Sequence, residues 1–511
     1  MLHTDGNVGA MTFLGDLLAA LPYKIVAKPE VLVIGVGGGT DILIALHHQA
    51  AHVTGAEINP MMIRAITRDF RDYTGSVFLR PEVTLHCSEG RHFVSRSRGS
   101  FDIIQLTGVD TFTALSSGAY ALAENYVYTV EAIEDFWRHL TPDGVLSFDR
   151  RYLAPPRESL KLVATMVEAL ERMGVPEPAR HLAVVTDSRY TETLLKRSPI
   201  TDADMAAIRD FASRQGRQVL FDPEKDAGSP FDTVIRSPRA DRERFFASYV
   251  YAVEPTTDDT PFFFNYYKWR NILKPSGPST GGYVTTSFPL GLITLAWSLV
   301  QIALLAFLGI LLPMQDRSAF AAPGSGRSIV YFGALGLGFI FVEIGLIQKL
   351  MVFLGGPAYS MAITLFSILL FSGLGSLWAR DPKGSVAARA ARLGTAIVVL
   401  VPVLGLALHH GVPRMLVLPW VARAAVAVAC VAPLAFLMGM PFPTGLHALG
   451  RSEPGWVPWA WSVNSFMTVL GALLAILVSM EIGFRGVFYV AAAVYAIGFF
   501  AFLPVLRRLE G

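Results

Sequence analysis

Charged side chains are scarce in this chain of 511 residues, where Asp, Glu, Lys and Arg together make up 16% and hydrophobic residues 52%. This balance is too apolar for an ordinary soluble enzyme. Only two cysteines are present, Cys87 and Cys430, which excludes a fold held by disulfides. The sequence also lacks basic clusters with interleaved aromatics and His/Cys/Asp spacings typical of metal ligands. It therefore predicts neither a nucleic-acid partner nor a metal site.

The apolar residues are distributed unevenly along the chain. Residues 1–280 carry charges at the density of a soluble protein, whereas residues 285–511 consist mostly of long apolar runs. We therefore predict a first soluble domain at 1–154, an α/β extension and linker at 155–280, and a transmembrane domain at 281–511. No signal peptide is expected, because the first residues are polar and no apolar core follows a charged start.

A glycine-rich turn follows the first predicted strand. Residues 31–34 read Val-Leu-Val-Ile, and Gly35, Gly37 and Gly39 then precede a predicted helix. Glycines at such a turn let a ligand approach the main chain closely. The next predicted strand ends in Glu57, about 20 residues after Gly35, where an acidic side chain would accept hydrogen bonds from ribose hydroxyls. The combination predicts a nucleoside-binding half-sheet, and the alternative is a tight turn in an unrelated α/β domain.

Further predicted strands alternate with helices through the first domain, which indicates an α/β fold of the Rossmann-like type with a parallel sheet. Ligands on such sheets bind beyond the carboxyl ends of the strands. Glu89 and Asp110 follow two further predicted strands. We therefore expect both carboxylates to share one edge of the sheet with Glu57 and the glycine turn.

The segment 256–265 combines three phenylalanines with two aspartates. One interpretation is a flap that closes over a substrate. The other is a hydrophobic plug that docks the domain onto its own sheet or onto a bilayer. The sequence does not decide between these two interpretations.

Together these motifs resemble the spermidine synthase (aminopropyltransferase) family of Rossmann-like enzymes, which are relatives of the methyltransferases. The resemblance rests on five segments: the Gly35–Gly39 loop, Glu57 in Ala-Glu-Ile-Asn-Pro, Glu89-Gly-Arg91, Phe101–Asp110 and Asn125–Thr129. It implies that the ligand is S-adenosylmethionine or decarboxylated S-adenosylmethionine, with Glu57 at the ribose and Glu89 near the adenine amino group. Only the end of the family's N-terminal hairpin has a counterpart here, at Asp5-Gly6, so the chain is expected to be a truncated version of a longer protein.

The sequence differs from the family at two positions where the family has aspartates that take part in aminopropyl transfer. Gly38 stands where the family's loop has an aspartate that grips the aminopropyl amine, and Thr107 stands where the family has its general base. Only a second acidic position, Asp110, is retained, which makes Asp110 the candidate catalytic residue. Aminopropyl transfer needs a base for the proton of the attacking amine. The resemblance therefore supports a nucleoside site better than it supports polyamine synthesis.

The whole chain resembles the membrane-bound spermidine synthase-like proteins of bacteria, which fuse such a domain to helices reminiscent of major-facilitator transporters. The residues 338–344, 371–376 and 438–443 carry this resemblance. It implies a multi-pass protein of the bacterial inner membrane. Since a span needs about 20 apolar residues, we predict seven transmembrane helices at about 288–312, 329–353, 358–378, 393–409, 420–446, 458–480 and 485–505.

Glu343 lies in the middle of the second predicted span. An ionisable residue at that depth usually faces a cavity or a partner. Its functional interpretations are proton coupling and substrate binding, and the alternative is a structural glutamate that ties helices together. Gln348, Asn464 and Glu481 are candidate partners.

Seven spans would place most basic loop residues on the face opposite the soluble domain. The positive-inside rule assigns that face to the cytoplasm, which puts the soluble domain outside. Adenosyl ligands are scarce outside the cell, so we favour a cytoplasmic soluble domain. The basic residues are Arg317, Arg327, Arg380, Lys383, Arg389, Arg392, Arg451, Arg507 and Arg508.

The leading interpretation is a membrane-anchored transferase that moves an aminopropyl or methyl group from an S-adenosylmethionine-type nucleoside to an amine or a membrane-associated acceptor. One alternative is a transporter of a polyamine or another organic cation, whose soluble domain only senses a nucleoside. A catalytically inactive scaffold is the third interpretation. The predicted partners are thus the lipid bilayer, a small nucleoside and, in two of these interpretations, a polyamine.

Overall fold

The computed structural model describes residues 1–109, 123–271, 290–314, 324–379 and 385–510. The chain divides into two compact units, Met1–Ile293 and Thr294–Gly511. An eight-stranded sheet forms the centre of the first unit. The second unit is built from long helices.

Strands and helices alternate along the first unit. Its strands are β1 (Glu30–Ile34), β2 (His52–Glu57), β3 (Val83–Cys87), β4 (Phe101–Thr107), β5 (Leu140–Arg151), β6 (Leu182–Thr186), β7 (Tyr190–Lys196) and β8 (Gln218–Phe221). Its α-helices are α1 (Thr40–His47), α2 (Pro60–Arg64), α3 (Gly90–Arg96), α4 (Val130–Arg138), α5 (Glu158–Arg172), α6 (Asp202–Arg214), α7 (Pro230–Arg236) and α8 (Arg239–Ser248). A 3-10 helix, Leu18–Lys24, precedes β1.

The strand order of the sheet is β3-β2-β1-β4-β5-β7-β6-β8. Strands β1 to β5 pair in parallel, whereas β7 runs antiparallel between β5 and β6, and β8 runs antiparallel beside β6. Five parallel strands in the order 3-2-1-4-5, with helices in their connections, form the doubly wound arrangement of Rossmann-like proteins. This order confirms the predicted fold class, a Rossmann-like fold of the methyltransferase and spermidine synthase type.

The central strands are buried on both faces. In β1, Val31, Leu32 and Val33 have no exposed surface, and in β4 the same holds for Ile103 and Ile104. Consecutive side chains of a strand point to opposite faces, so burial of neighbours requires cover on both sides. This explains why β1 is a continuous apolar run and why its carboxyl end, rather than its faces, is free to carry function.

The sheet continues past residue 154, where the predicted first domain ends. Strand β7 pairs with β5 from Val145 opposite Lys196 to Arg151 opposite Tyr190. Strands β6 and β8 then extend the same sheet. Residues of the predicted extension therefore complete the sheet that the first domain begins.

The segment with three phenylalanines packs on the first unit. Phe262, Phe263 and Phe264 are at most 3% exposed. The ring of Phe263 stacks on Tyr128, with ring centroids 4.4 Å apart, and the hydroxyl of Thr256 donates a hydrogen bond to the carbonyl oxygen of Tyr128. These contacts support the interpretation of this segment as a plug on its own domain.

Six helical segments among the described residues are long and apolar enough to cross a membrane. The helices are α9 (Leu290–Ala306), α10 (Ser325–Leu354), α11 (Pro357–Trp378), α12 (Val386–Met415), α13 (Trp420–Met438), α14 (Pro441–Ser452) and α15 (Trp456–Glu510). Helices α13 and α14 together make one of these segments, Trp420–Arg451.

Helix α15 reverses direction at Gly483, whose φ of 76° and ψ of 169° are not helical. Its 55 residues would be about 80 Å long if straight, but each half is about 40 Å long and still exceeds the bilayer core. The two halves contact α10 in opposite order. Asn464 lies at Gly336 and Gly471 at Ile340, whereas Phe488 lies at Gly345 and Tyr495 at Gly338. The seven predicted spans thus correspond to six helical segments, of which the last passes along α10 twice.

Small residues allow α11 and α13 to meet backbone to backbone. A Cβ atom at Gly375 would lie 1.9 Å from the carbonyl oxygen of Phe436, and one at Gly439 would lie 2.0 Å from that of Ser372. Packing of this kind is typical of helices associated in lipid, where apolar burial between helices gives little driving force.

Glu343 lies on α10 and is half-buried, next to the fully buried Val342. Of its predicted partners, Asn464 donates a hydrogen bond instead to the carbonyl oxygen of Phe332, at 3.2 Å. The structural and functional interpretations of Glu343 both stay predictions.

Several basic helix ends of the second unit lie together. The guanidinium of Arg508 pairs with Glu453 at 3.0 Å, and the hydroxyl of Ser385 donates to Glu510 at 2.8 Å. Gly324 lies next to Arg508. The starts of α10 and α12 and the end of α15 therefore share one end of the helical unit. Among the predicted basic residues, Arg317, Arg380 and Lys383 lie outside the described residues.

Candidate functional site

The glycine turn after β1 has the backbone geometry that its sequence requires. Gly35, Gly37 and Gly39 all have positive φ, at 79°, 50° and 84°. A Cβ at Gly35 would lie 2.7 Å from the side chain of Val109, and one at Gly39 would lie 2.2 Å from that of Phe78. Larger residues are therefore excluded at two of the three positions by both backbone strain and lack of space.

Glu57, at the carboxyl end of β2, is held against this turn. Its Oε2 accepts a hydrogen bond from the backbone amide of Gly37 at 2.9 Å, and its Oε1 accepts one from the amide of Asn59 at 2.8 Å. The residue is 6% exposed. Each carboxylate oxygen has two lone pairs, so both oxygens can accept a further hydrogen bond. The structure thus brings together the two predicted parts of the nucleoside site.

Glu89 follows β3 and caps the N-terminus of α3. Its side chain accepts hydrogen bonds from the backbone amides of Arg91 at 3.0 Å and His92 at 2.7 Å. These bonds satisfy amides that have no partner inside the helix. Glu89 therefore lies at the expected edge of the sheet, with a structural task of its own, and its predicted role near adenine stays a prediction.

The edge continues at the ends of β4 and β5. Thr107, at the position where the resembled family has its general base, lies opposite Asp149 in the parallel pairing of these strands. Asp110, the predicted catalytic residue, lies outside the described residues. At the ends of β4 and β5, Asp149 is therefore the acidic residue that the described part of the chain provides.

Asp149 and Glu192 lie directly opposite each other on the antiparallel strands β5 and β7. Asp149 is 8% exposed, and Glu192 has no exposed surface. Ser147, two residues before Asp149, donates a hydrogen bond to Oε1 of Glu192 at 2.5 Å. Like charges in such opposing positions repel each other, so this pair is a costly feature that packing alone does not explain.

A third carboxylate, Asp41, faces the same pair from the first turn of α1. It is 5% exposed. Its charge raises the pKa of Asp149 and of Glu192, although burial has the larger effect at both residues. We call these three residues, Asp41, Asp149 and Glu192, the carboxylate cluster.

Burial sets the proton affinity of the carboxylate cluster. Loss of hydration raises the pKa of Asp41 to about 7. Burial, and then the charge of Asp41, raise the pKa of Asp149 to about 8. Burial raises the pKa of Glu192 as well, and the charge of Asp149, followed by that of Asp41, adds to this effect. Groups that titrate between pH 7 and 8 exchange protons readily under neutral conditions.

Buried polar side chains line the same face of the sheet beneath the cluster. The hydroxyl of Tyr23 donates to Oε1 of Gln105 at 2.7 Å, and Nε2 of Gln105 donates to the carbonyl oxygen of Ala19 at 2.9 Å. Gln105 has no exposed surface. A layer of buried polar groups therefore extends across this face of the sheet, from the Leu18–Lys24 helix to β7.

Sequence reasoning missed the carboxylate cluster, although one signal was available. Ser147 and Asp149 occupy alternate positions of β5 and are separated by the apolar Phe148, which places both on one face of the strand. Glu192 lies far away along the chain, and only the antiparallel insertion of β7 beside β5 brings it to Asp149.

A second buried polar group fastens the plug to this edge. Arg91, which is 4% exposed, pairs with Asp135 at 3.1 Å and with Asp258 of the plug at 2.5 Å. The hydroxyl of Thr129 also donates to Asp258, at 2.7 Å. Asp258 is therefore engaged in structural bonds, which agrees with the plug interpretation.

Comparisons with known proteins give distant likenesses. Neither any protein-family profile nor any curated protein sequence matches this chain. Among solved structures it is similar to a spermidine synthase in complex with the transition state analogue AdoDATO, with 16% identity and a TM-score of 0.29 over 45% of this chain and 74% of that one. A probable spermidine synthase from Corynebacterium glutamicum is 21% identical, with a TM-score of 0.29 over 42% of this chain and 72% of that one. The ribosomal protein L11 methylase from Lactobacillus delbrueckii subsp. bulgaricus is 16% identical, with a TM-score of 0.24 over 35% of this chain and 77% of that one.

The fold assignment rests on the strand order and not on these likenesses. The first unit is a Rossmann-like domain with a glycine turn after its first strand, an acidic residue at the end of its second strand and a polar carboxyl edge. The second unit adds six helical segments that could cross a membrane.

Proposed function

We propose that the first unit binds an S-adenosylmethionine-type nucleoside and transfers its aminopropyl or methyl group to an amine or a membrane-associated acceptor. The observation that supports this proposal most directly is the hydrogen bond from the amide of Gly37 to Glu57. It holds an acidic side chain beside the turn at which such sheets bind the phosphate or sugar of a ligand.

The residues around Glu57 fit the sugar of a nucleoside. Two backbone amides fix the orientation of the carboxylate, and the lone pairs that remain on its oxygens suit the paired hydroxyls of a ribose. Charge-assisted bonds of this kind are about twice as strong as neutral ones. Gly37 has no side chain that would block the approach of a ligand to the main chain.

Replacement of Glu57 with alanine is expected to lower the affinity for S-adenosylhomocysteine or methylthioadenosine at least tenfold. Two charge-assisted hydrogen bonds to the ribose would be lost, each worth about 1.5–3 kcal/mol. Isothermal titration calorimetry on the full chain in detergent measures this difference. Glu82→Ala is the matched control, because Glu82 is exposed and lies just before β3, at the opposite end of that strand from the candidate site. Equal affinity in wild type and Glu57→Ala would remove the ribose assignment.

A transporter of an organic cation is the second candidate function. Glu343 supports this function, because an ionisable residue within a membrane span usually faces a cavity or a partner. Glu343 is half-buried, and it lies on α10, the helix that contacts both halves of α15. The likeness of the helical unit to major-facilitator transporters also stays a prediction. Turnover of a labelled nucleoside donor separates the transferase from both the transporter and the inactive scaffold.

We also propose that the protein lies in the bacterial inner membrane, with the first unit in the cytoplasm, where adenosyl nucleosides are made. This assignment conflicts with the positive-inside rule if each predicted span crosses the membrane, since the basic helix ends would then lie on the opposite face. We favour the cytoplasmic side because the proposed ligand is available there, although the positions of the basic residues favour the opposite orientation.

The native cysteines provide a test of this location. Cys87 is exposed in the first unit, so a Cys430→Ser variant carries one reporter. A membrane-impermeant maleimide is expected to label Cys87 only after right-side-out spheroplasts are lysed. The variant without both cysteines controls for background labelling. Labelling of Cys87 in intact spheroplasts would place the first unit outside and support the charge-based orientation.

A further inference from the structure

The exposed apolar side chains of the first unit concentrate in residues 58–80, which we call the outer segment. Ile58, Met61, Phe70 and Leu79 are 58%, 60%, 53% and 50% exposed. Within the described part of the first unit, every large hydrophobic side chain that is at least half exposed belongs to this segment. Single exposed apolar residues are ordinary on a protein surface, whereas a concentration of them marks a surface that contacts a partner or a membrane.

The inner side of the outer segment is fixed in the core of the domain. Ile66, Val77 and Phe78 are at most 3% exposed, and they belong to the hydrophobic core that also contains residues of β1 and α1. Because these residues hold the segment against the domain, its other side faces outward. The apolar side chains on that outward side are therefore a built surface of the fold.

Arginines are interleaved with these apolar residues. Arg64, Arg68 and Arg71 are exposed, and the outer segment contains four arginines and two aspartates, a net charge of +2. Met61, Arg64 and Arg68 follow one another at spacings of three and four residues through α2 and the helical turn after it, so they share one helix face. Arg64 pairs with Asp69 at 3.2 Å, but both side chains are exposed, and such pairs are weak.

The outer segment is joined directly to the proposed nucleoside site. It begins after Glu57, whose Oε1 accepts a hydrogen bond from the amide of Asn59 at 2.8 Å. The side chain of Asn59 in turn accepts one from the amide of Met61 at 3.0 Å. The ring of Phe78 lies against Gly39 of the glycine turn. The outward surface therefore borders both parts of the proposed nucleoside site.

We infer that the outer segment docks on the surface of a bilayer that contains anionic lipids. Apolar and aromatic side chains interleaved with basic ones are typical of protein surfaces that lie in a membrane interface. There the apolar groups reach the acyl chains, and guanidinium groups bind the phosphates of the headgroups. The chain itself is held at a bilayer if its six long apolar helical segments cross one.

A second copy of the chain fits this surface less well than a bilayer does. A symmetric dimer places the same surface on both partners, so the exposed arginines of one copy would face those of the other. Like charges brought together in an interface oppose association. Anionic headgroups instead complement the net positive charge of the outer segment.

Docking of this surface defines the class of acceptor for the proposed transferase. Glu57 and the glycine turn would open beside the lipid headgroups, so the acceptor is a molecule held in the membrane and not one dissolved in water. This step rests on the proposed function. The docking itself does not, and it can be measured without any transfer reaction.

Quenching of a fluorescent dye by spin-labelled lipid tests the docking, on the full chain in nanodiscs that hold one copy each. Met61→Cys, in a background with Cys87→Ser and Cys430→Ser, carries the dye in the outer segment. The matched control carries it at Glu177→Cys, since the side chain of Glu177 is 70% exposed and lies outside the outer segment. In discs that contain phosphatidylglycerol, the dye at position 61 is expected to lose at least half of its fluorescence, and the dye at position 177 very little.

Further variants of the dye-labelled protein show which side chains are responsible. Arg64→Gln with Arg68→Gln is expected to lower the quenching at least twofold, and so is Phe70→Ser with Leu79→Ser. Phe13→Ser is the control, because Phe13 is 46% exposed but lies outside the outer segment. Discs of phosphatidylcholine alone should lower the quenching as much as the arginine variant does.

Equal quenching at the two dye positions would overturn the inference, as would quenching that neither double variant changes. Protection of the dye at position 61 that appears only in discs with two copies would assign the surface to a second copy and also overturn it. Titration of methylthioadenosine into the same samples separates this result from the proposed function. Quenching without nucleoside binding would refute the transferase and leave the docking surface, whereas nucleoside binding without quenching would refute the docking alone.

Discussion

Replacement of Arg91 with alanine is expected to lower the free energy of unfolding of the first unit by about 3–5 kcal/mol. The guanidinium is buried between Asp135 and Asp258, and it is also within hydrogen-bond distance of the hydroxyl of Thr129. Removal of one partner from a buried ion pair leaves the other charges without compensation. The plug that carries Asp258 would also lose its buried ion pair with the sheet domain.

Arg138 provides a matched control for this prediction. It also pairs with Asp135, at 3.2 Å, but its side chain is 57% exposed. Exposed ion pairs contribute about 1 kcal/mol at most, so Arg138→Ala should change stability little. Urea unfolding of the full chain in detergent, with limited proteolysis near the plug as a local probe, measures both variants. Similar losses in the two variants would show that burial of Arg91 does not set its contribution.

Replacement of Asp149 with asparagine is expected to stabilise the protein at pH 8. In the unfolded chain an aspartate titrates near pH 3.9, whereas in the folded protein the pKa of Asp149 is about 8. Between these values the folded state holds a proton that the unfolded state has lost. Wild-type stability therefore falls as the pH rises from about 4 to 8 and then becomes constant. Asparagine has no such titration, so the variant should gain on the order of 2–4 kcal/mol over the wild type at pH 8.

The same comparison at pH 4 should show almost no difference, because Asp149 is then protonated in the folded wild type. Asp143→Asn is the control, since Asp143 is exposed near the start of the same strand. Thermal unfolding of wild type and variants across this pH range measures the effect. A variant that is less stable than the wild type at pH 8 would mean that Asp149 makes a favourable contact as an ion.

The sequence was sufficient for the parts of the site that are local in the chain. Gly35, Gly37 and Gly39 lie within five residues, and Glu57 ends the next strand, so one strand–turn–helix–strand pattern contains them all. The carboxylate cluster is different, because β7 reaches β5 only through an antiparallel insertion in the sheet. Pairing between distant strands has no local signature, and a buried carboxylate pair contradicts the usual preference for apolar residues in a sheet core.

In the helical unit too, the sequence predicted local features but not those that depend on three-dimensional packing. Apolar length predicted where the spans lie, since the bilayer thickness sets a minimum length for any crossing helix. It did not predict that the last two predicted spans form one helical segment with a single nonhelical residue, Gly483. A reversal within one residue needs backbone angles that side chains rarely permit, and the glycine alone did not distinguish a reversal from a packing contact.

The reversal of α15 has a consequence for the sidedness of the helical unit. A helical hairpin begins and ends on the same side of a membrane, so the chain leaves α15 on the side at which it entered it. The basic ends of α10, α12 and α15 lie together. The helical unit therefore carries one rim of basic residues, with the turn of α15 at Gly483 at the opposite end.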